Sequence, residues 1–314
     1  VILFLHNRYR VTGGEERAVG DLLWLVREHL GEDAELLVRD SAALGRARAA
    51  VGMLRGGLAP EDVAAAVRRT GARAVHAHNL NPALGWRALA AARAAGARVV
   101  LHLHNYRLVC AVGTCFDSRG EDCTRCQGRD TLPGIRLNCR GTGPEAVVYG
   151  AGLALWQRRL VAHADAVVVP SAFAARRLAQ LGAPLDPARV TVVPHVVRAI
   201  AAGPSRAAQG RHALVVARLA PEKGVETAID ACAEAGLPLV VAGDGPRAGA
   251  LRAHAAATGA DVRFTGRVGA GELADLRADA GLALVPSRSA ETFGLAAAEA
   301  MADAIPVAAS AIGA

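Results

Sequence analysis

The feature that most constrains this chain is its rhythm: short apolar runs of strand length alternate with stretches of helical period along its whole length. Runs this uniformly apolar suit strands buried on both faces, and the intervening helices supply the covers. The spacing predicts strands at 1–5, 35–38, 74–77, 98–103, 166–169 and 190–193. A second series follows at 213–217, 237–242, 262–265, 283–285 and 307–309, with helices such as 224–235 and 295–302 between strands. Between the two series, the segment Arg198-Ala-Ile-Ala-Ala-Gly-Pro-Ser-Arg206 has linker composition.

The expected architecture is therefore α/β, with two Rossmann-like domains whose parallel sheets face each other across a cleft. Residues 1–195 form the first domain, 196–210 the linker and 211–314 the second. A chain of 314 residues, 52% apolar and 21% charged, has the material for two cores. No run approaches the roughly 18–20 apolar residues that span a bilayer. Val1–Leu5 has no basic flank before it and reads as a buried strand rather than a signal peptide, so a cytoplasmic protein is expected. The chain starts without Met and stops just after a strand-like Pro306-Val307-Ala308-Ala309, so both ends look cut and the second domain reads as incomplete.

Composition narrows the partners. Aromatic residues make up 4% of the chain, which leaves few stacking platforms, and no nucleic-acid partner is expected. Of the 36 basic residues, 35 are arginine and the single lysine is Lys223. Up to His195 there are 25 arginines against 17 acidic residues; beyond it, 11 basic residues face 12 acidic ones. The excess is confined to the first half, which suggests an anionic partner there. Arg46, Arg48 and Arg55, with Val51, Met53 and Leu54 in the Gly45–Gly57 segment, form a candidate basic amphipathic surface for peripheral contact with an anionic membrane at its inner face.

In open parallel sheets, ligands sit outside the carboxyl ends of strands. Those positions carry His6, Gly13-Gly14, His76, His78, His102, His104, Asn105 and His195 in the first half, and Arg218, Lys223, Gly243-Asp-Gly245-Pro and Pro286-Ser287 in the second. Arg218 and Lys223 put two cations on one loop beside a helix start, an arrangement that can hold a diphosphate. Lysine supplies a compact point charge where arginine supplies a planar fork, which marks Lys223 in so arginine-rich a chain. Gly243-Asp-Gly245-Pro-Arg-Ala fits a G-x-G-x-x-A turn, yet the next strand ends without the acid a dinucleotide site expects, so a tight turn with close backbone approach remains. If Gly294 starts a helix, Glu291 precedes it and Glu299 lies in its second turn. A carboxylate on the otherwise apolar Leu295–Met301 face needs donors, and sugar hydroxyls are suitable ones.

The order Gly13-Gly14, R-x-x-P-E-K-G from Arg218, Gly243-Asp-Gly-Pro, and Glu291-x(7)-Glu299 before Pro306-Val307 resembles the retaining family-4 glycosyltransferases of GT-B fold. The resemblance implies transfer of a sugar from a nucleotide-diphosphate sugar, with retention, to a glycan, lipid-linked or small-molecule acceptor, and no cofactor required for catalysis. It implies that Arg218 and Lys223 neutralise the diphosphate and that Glu299 holds the ribose. Gly243 and Gly245 belong to the donor loop, and Glu291, with the backbone of Phe293, Gly294 and Leu295, contacts the transferred sugar. Gly13 and Gly14 bring amides to the phosphate or sugar, and His104 lies near the sugar; Glu291 and His104 are the catalytic candidates. Two positions depart from the pattern: His195 replaces a Pro-Asn turn, and Ala304 stands where the family usually has Gly. The family also continues beyond this ending, so an inactive sugar-nucleotide-binding fragment is one alternative.

The first half also carries a Cys-rich loop over 110–139, C110-x(4)-C115-x(7)-C123-x(2)-C126-x(12)-C139, which fits a structural zinc site. Five thiols compete for four positions: Cys115, Cys123, Cys126 and Cys139, with Cys110 as the alternative. Similar Cys-bearing loops occur in one branch of the resembled family. The His76-x-His78 and His102-x-His104 pairs, each on one side of a strand end, admit another class, a metal-dependent hydrolase.

Overall fold

The computed structural model describes residues 1–10, 13–198 and 205–314. Two compact units result, Val1–Val196 and Val197–Gly313. Residues 199–204 of the expected 196–210 linker lie outside the described residues.

The first unit is built on a six-stranded parallel sheet of β1 (Ile2–Arg8), β2 (Ala34–Asp40), β3 (Ala74–Ala77), β4 (Arg98–His102), β5 (Ala166–Val169) and β6 (Val190–Val192), in the order β2-β1-β3-β4-β5-β6. The second carries β7 (His212–Val216), β8 (Leu239–Ala242), β9 (Val262–Gly266), β10 (Ala280–Val285) and β11 (Val307–Ala309), ordered β11-β10-β7-β8-β9 and also parallel. The predicted strands at 74–77, 166–169 and 307–309 have their expected bounds. β1 runs on to Arg8 because β2 stays in register with it as far as Asp40.

Both faces of the first sheet are covered, as the apolar runs require. Leu3 and Leu5 of β1 share a core with Val75, Ala77, Val99 and Leu101, closed by Val63 and Val67 of the helix Pro60–Thr70 and by Leu89 of the helix Gly85–Ala94. Phe4 points the other way, onto Val19 and Val26 of the helix Gly14–Glu28. In the second unit, Val215, Val241 and Leu239 pack on Ile229 and Leu251, while Leu214 and Val240 face Leu276, Ala300 and Ile305. Period-two alternation of one strand between two buried faces explains why the sequence shows continuous apolar runs.

One surface expectation needs correction. The Gly45–Gly57 segment does form a helix, Arg46–Arg55, with Arg46, Arg48, Val51, Leu54 and Arg55 exposed. Met53 is buried instead, in a small cluster with Ala111 and Leu153, where the absence of a side chain at Gly152 leaves it room.

Candidate functional site

Each sheet has a place where the chain reverses its direction of strand addition. In the second unit, the chain moves from β7 to β8 and β9, then returns to add β10 and β11 on the other side. The switch lies between β7 and β10, and the segments leaving their carboxyl ends meet there. The segment after β7 carries Arg218, Glu222 and Lys223; the one after β10 carries Ser287 and Glu291.

Their backbones are clipped together. Arg288 N donates to Glu222 O at 2.9 Å, and Gly224 adopts φ +58, where a Cβ would lie 2.2 Å from Pro286 O. The sequence places Lys223 about at a helix start; it ends a short 3-10 turn, Pro221–Lys223, and the α-helix begins after Gly224, at Val225. This close approach sets Lys223 Nζ 2.7 Å from Glu291 Oε1, with the Ser287 hydroxyl donating to the same oxygen. Burial raises the pKa of the Glu291 carboxyl, but the Lys223 charge and the hydrogen bonds from Lys223 and Ser287 outweigh it, holding it below its ordinary 4.5. Arg218 pairs with Glu222 four residues on. Glu222 is a partner that sequence reasoning missed, although it stands within the R-x-x-P-E-K-G motif itself; Ser287 was marked only as a strand-end residue, not as a partner of Glu291.

Gly243 and Gly245 hold the neighbouring loop against this one. At Gly243, φ is +146 and a Cβ would come within 1.8 Å of Ala217 O; at Gly245 the nearest atom would be Leu219 O at 2.4 Å. Leu219 N donates to Asp244 O at 3.0 Å, and Arg247 N to Leu219 O at 3.0 Å. The two glycines therefore position the Arg218 loop through backbone packing.

Gly294, at φ +78, caps the helix Leu295–Ala302 after the Phe293 turn, and its carbonyl accepts from Ala298 N at 3.0 Å. The first-turn amides of such a helix have no intrahelical acceptor. Glu299 lies in the second turn, 5% exposed, and forms an ion pair with Arg277, which also reaches Asp303 at 3.4 Å. Arg277 is the donor that offsets the burial of this carboxylate, and nothing in its local sequence distinguishes it from other arginines.

In the first unit the switch point lies between β1 and β3. Gly13 precedes the helix Gly14–Glu28 in an extended conformation, its amide donating to Glu16 Oε2 at 2.8 Å. Residues 6, 76, 78, 102 and 104 project from one side of the sheet, because spacing of two returns each ring to the same face. The rings stack, with centroids 4.1 Å apart for His102–His104, 5.0 Å for His78–His104 and 5.1 Å for His104–His195. Burial holds the imidazoles of His76 and His195 down to about 4 and keeps His78 and His104 well below their ordinary value, so these rings are neutral. Among the described residues, His78, His102 and His104 are the group of three metal-capable side chains whose ligand atoms lie within 4.8 Å of one another.

Beside them, Glu15 accepts from the Tyr9 hydroxyl at 2.6 Å and from Asn105 Nδ2 at 2.8 Å, and the Arg107 guanidinium lies 4.7 Å from the Tyr9 ring centre. Glu15, His104, Asn105 and Arg107 line one pocket with Trp86 and Trp156. Glu15 and Arg107 were not legible as site residues because the contacts that join them to the cluster, Glu15 with Asn105 and Arg107 with the Tyr9 ring, reach across 90 positions or more of sequence.

These two α/β units, each with its polar residues at a switch point, define a two-domain glycosyltransferase architecture. The chain matches the family described as Glycosyl transferase 4-like domain over residues 2–195 and Glycosyl transferases group 1 over residues 200–314, and it belongs to that family. Solved structures share the GT-B fold. Anabaena HepE in complex with UDP and glucose is 20% identical, with TM-score 0.61, covering 99% of this chain and 81% of that one. Sucrose-phosphate synthase from Thermosynechococcus elongatus is 16% identical at TM-score 0.65, with coverage of 99% and 81%. A glycosyltransferase from Rickettsia africae is 14% identical at TM-score 0.64, with coverage of 99% and 79%. Comparison with curated proteins found no match. Among the described residues, no helix is long and apolar enough to cross a membrane.

Proposed function

We propose that this glycosyltransferase takes its sugar from a nucleotide-diphosphate donor and transfers it, with retention of configuration, to a glycan, lipid-linked or small-molecule acceptor. The observation that carries the reading is the pairing of Lys223 with Glu291 at the β7/β10 switch point, beside the loop bearing Arg218. A diphosphate needs cations that are local and already aimed, and the family relative HepE is described with UDP and glucose. In this reading Lys223 and Arg218 neutralise the departing diphosphate, and Glu291 with the Phe293–Leu295 backbone orients the sugar. Glu299 receives the ribose hydroxyls, its carboxylate already set in place by Arg277. The protein's contribution is positioning and stabilisation of leaving-group charge, and the diphosphate itself helps to deprotonate the acceptor as it attacks from the same face. Gly13, Gly14 and His104 keep the donor-side roles that the family resemblance implies. The exposed Arg46, Arg48, Arg55, Val51 and Leu54 belong to the same reading as a peripheral contact with anionic lipid, checked by vesicle binding that weakens with salt.

The test is a screen of nucleotide-diphosphate sugars against the purified protein, with the anomeric configuration of the product read by NMR. Transfer that is retained and metal-independent supports the reading. Transfer that survives loss of both Lys223 and Glu299 overturns the site, and an inverted product overturns the stereochemistry. A second reading rests on His78, His102 and His104, whose ligand atoms could take a metal ion and support hydrolysis. Hydrolysis abolished by a chelator, with no sugar transfer, would favour it.

A further inference from the structure

The chain from 103 to 131, between β4 and the helix Leu132–Arg136, forms no helix and only the isolated bridges Phe116–Asp122 and Gln127–Asp130. A compact domain rarely holds so long an irregular segment without a staple. Five reduced thiols, four of them within it (Cys110, Cys115, Cys123 and Cys126) and Cys139 just beyond the helix Leu132–Arg136, line one pocket. They do not share one environment.

Cys123 Sγ accepts from Arg125 Nη1 at 3.6 Å, while Cys126 Sγ points its proton at Thr131 O, 4.0 Å away. An N–H group aimed at sulfur is an outer-shell arrangement that steadies a thiolate on a metal, because the donor draws off part of the anionic charge. Gly134 also leaves space at Cys126, since a Cβ there would sit 3.2 Å from the sulfur.

Cys115 differs. It is 1% exposed and packs in the main hydrophobic core with residues such as Tyr106, Leu178 and Leu181. We infer that Cys110, Cys123, Cys126 and Cys139 bind one structural zinc ion, which fastens the 103–142 loop to the first unit, and that Cys115 is a core residue outside the coordination sphere. This reverses the sequence-based choice of Cys115 over Cys110. Spacing alone could not separate two thiols five residues apart, whereas burial does: Cys115 is sealed in the core, and Cys110 is only partly buried at the pocket. Among the described residues no three of these sulfurs lie within 4.8 Å of one another, so a bound ion would draw them inward to tetrahedral Zn–S distances of about 2.3 Å as each loses its proton.

The experiment purifies the protein under reducing conditions, measures zinc by mass spectrometry and counts sulfur ligands by X-ray absorption on the unaltered chain. The result expected is one zinc per chain with four sulfur neighbours. C115S should keep its zinc, whereas C110S and the double variant C123S/C126S should lose it, and the loop in those variants should be cut at least tenfold faster by trypsin at Arg119, Arg125 or Arg129. Absence of stoichiometric metal in the reduced unaltered protein, an iron–sulfur cluster in its place, or loss of zinc from C115S but not from C110S would overturn the assignment. Because zinc content and ligand number are read on the unaltered chain, misfolding of a variant leaves the test intact, and the outcome is independent of sugar transfer.

Discussion

Lys223 Nζ lies 2.7 Å from Glu291 Oε1 although 68 residues separate them, and the contact exists because β7 and β10 are parallel neighbours at the reversal of the second sheet. The lysine is held before any donor arrives, so the ion pair orients the ammonium that the proposed diphosphate would meet. Removing it with Lys223→Ala should lower kcat by about 10²–10³-fold, the scale of losing one preorganised charge donor. Lys223→Arg should recover little, because a planar fork on a longer stem cannot keep the same point contact with Glu291. Steady-state kinetics on both variants check this, and near-normal kcat in Lys223→Ala would remove the lysine from the site.

The same pair makes a pH prediction. The folded-state pKa of Glu291 lies below its ordinary 4.5, so its stabilisation is fully present above that value and is lost as pH falls through the depressed folded value. Glu291→Gln should therefore destabilise the second unit at neutral pH, and the difference from the unaltered chain should shrink on acidification. Denaturant melts at pH 7 and below pH 4, followed by a probe in that unit, measure it. A difference independent of pH would show that the carboxylate charge carries none of the effect.

At Gly243 the constraint is steric. Gly243→Ala puts a methyl group where Ala217 O would be 1.8 Å away, at a backbone angle that L residues rarely adopt. The cost should be about 2 kcal/mol or more, from overpacking and strain together. Because the displaced backbone carries Arg218, donor affinity should fall as well. Gly14→Ala is the contrast, since a Cβ there meets nothing within 4 Å and the unit should remain stable. A thermal melt of the two variants separates a packing glycine from one whose value lies only in contact with a ligand.

The legible part of this molecule was whatever had a period or a local motif. Period-two apolar runs marked strands such as Ala74–Ala77 and Val307–Ala309, and H-x-H spacing marked rings on one sheet face. The R-x-x-P-E-K-G turn marked Lys223. Partner choice was not legible: Arg277 reaches Glu299 from another helix, and Ser287 reaches Glu291 through a turn whose course depends on Gly224 touching Pro286. Such contacts are set by tertiary approach, and one arginine among 35 carries no local sign of the carboxylate it will meet. For the same reason Met53, at an apparently amphipathic position, turned inward once Gly152 opened space for it.

Breaking the Arg277–Glu299 pair should be costly because both side chains are largely shielded, at 12% and 6% exposure. Arg277→Ala leaves a buried carboxylate without its guanidinium and should destabilise the second unit by about 3–5 kcal/mol. Replacing both, as Arg277→Met with Glu299→Leu, should cost much less than the sum, because no charge is then stranded. A double-mutant cycle in denaturant measures the coupling; additive costs would mean that the two side chains act independently.

Ala304, like Ala59, Cys115 and Asn138, is a non-glycine residue at positive φ, and it tests the backbone rather than the site. Its φ is +58, in the left-handed region, at the turn where the helix Leu295–Ala302 ends and the chain enters β11, with its amide donating to Met301 O at 3.0 Å. An L residue there brings Cβ too close to the carbonyl, at a cost of about 1–2 kcal/mol. Glycine removes that strain but gives back part of the gain through its greater freedom in the unfolded chain. Ala304→Gly should therefore stabilise the second unit by about 0.5–1 kcal/mol, visible as a small rise in its thermal midpoint with kcat unchanged. Ala304→Val should move the midpoint the other way, because β-branching deepens the clash at positive φ. If glycine lowers the midpoint, the turn is not strained at Ala304, and the alanine at this usually glycine position has a packing role instead.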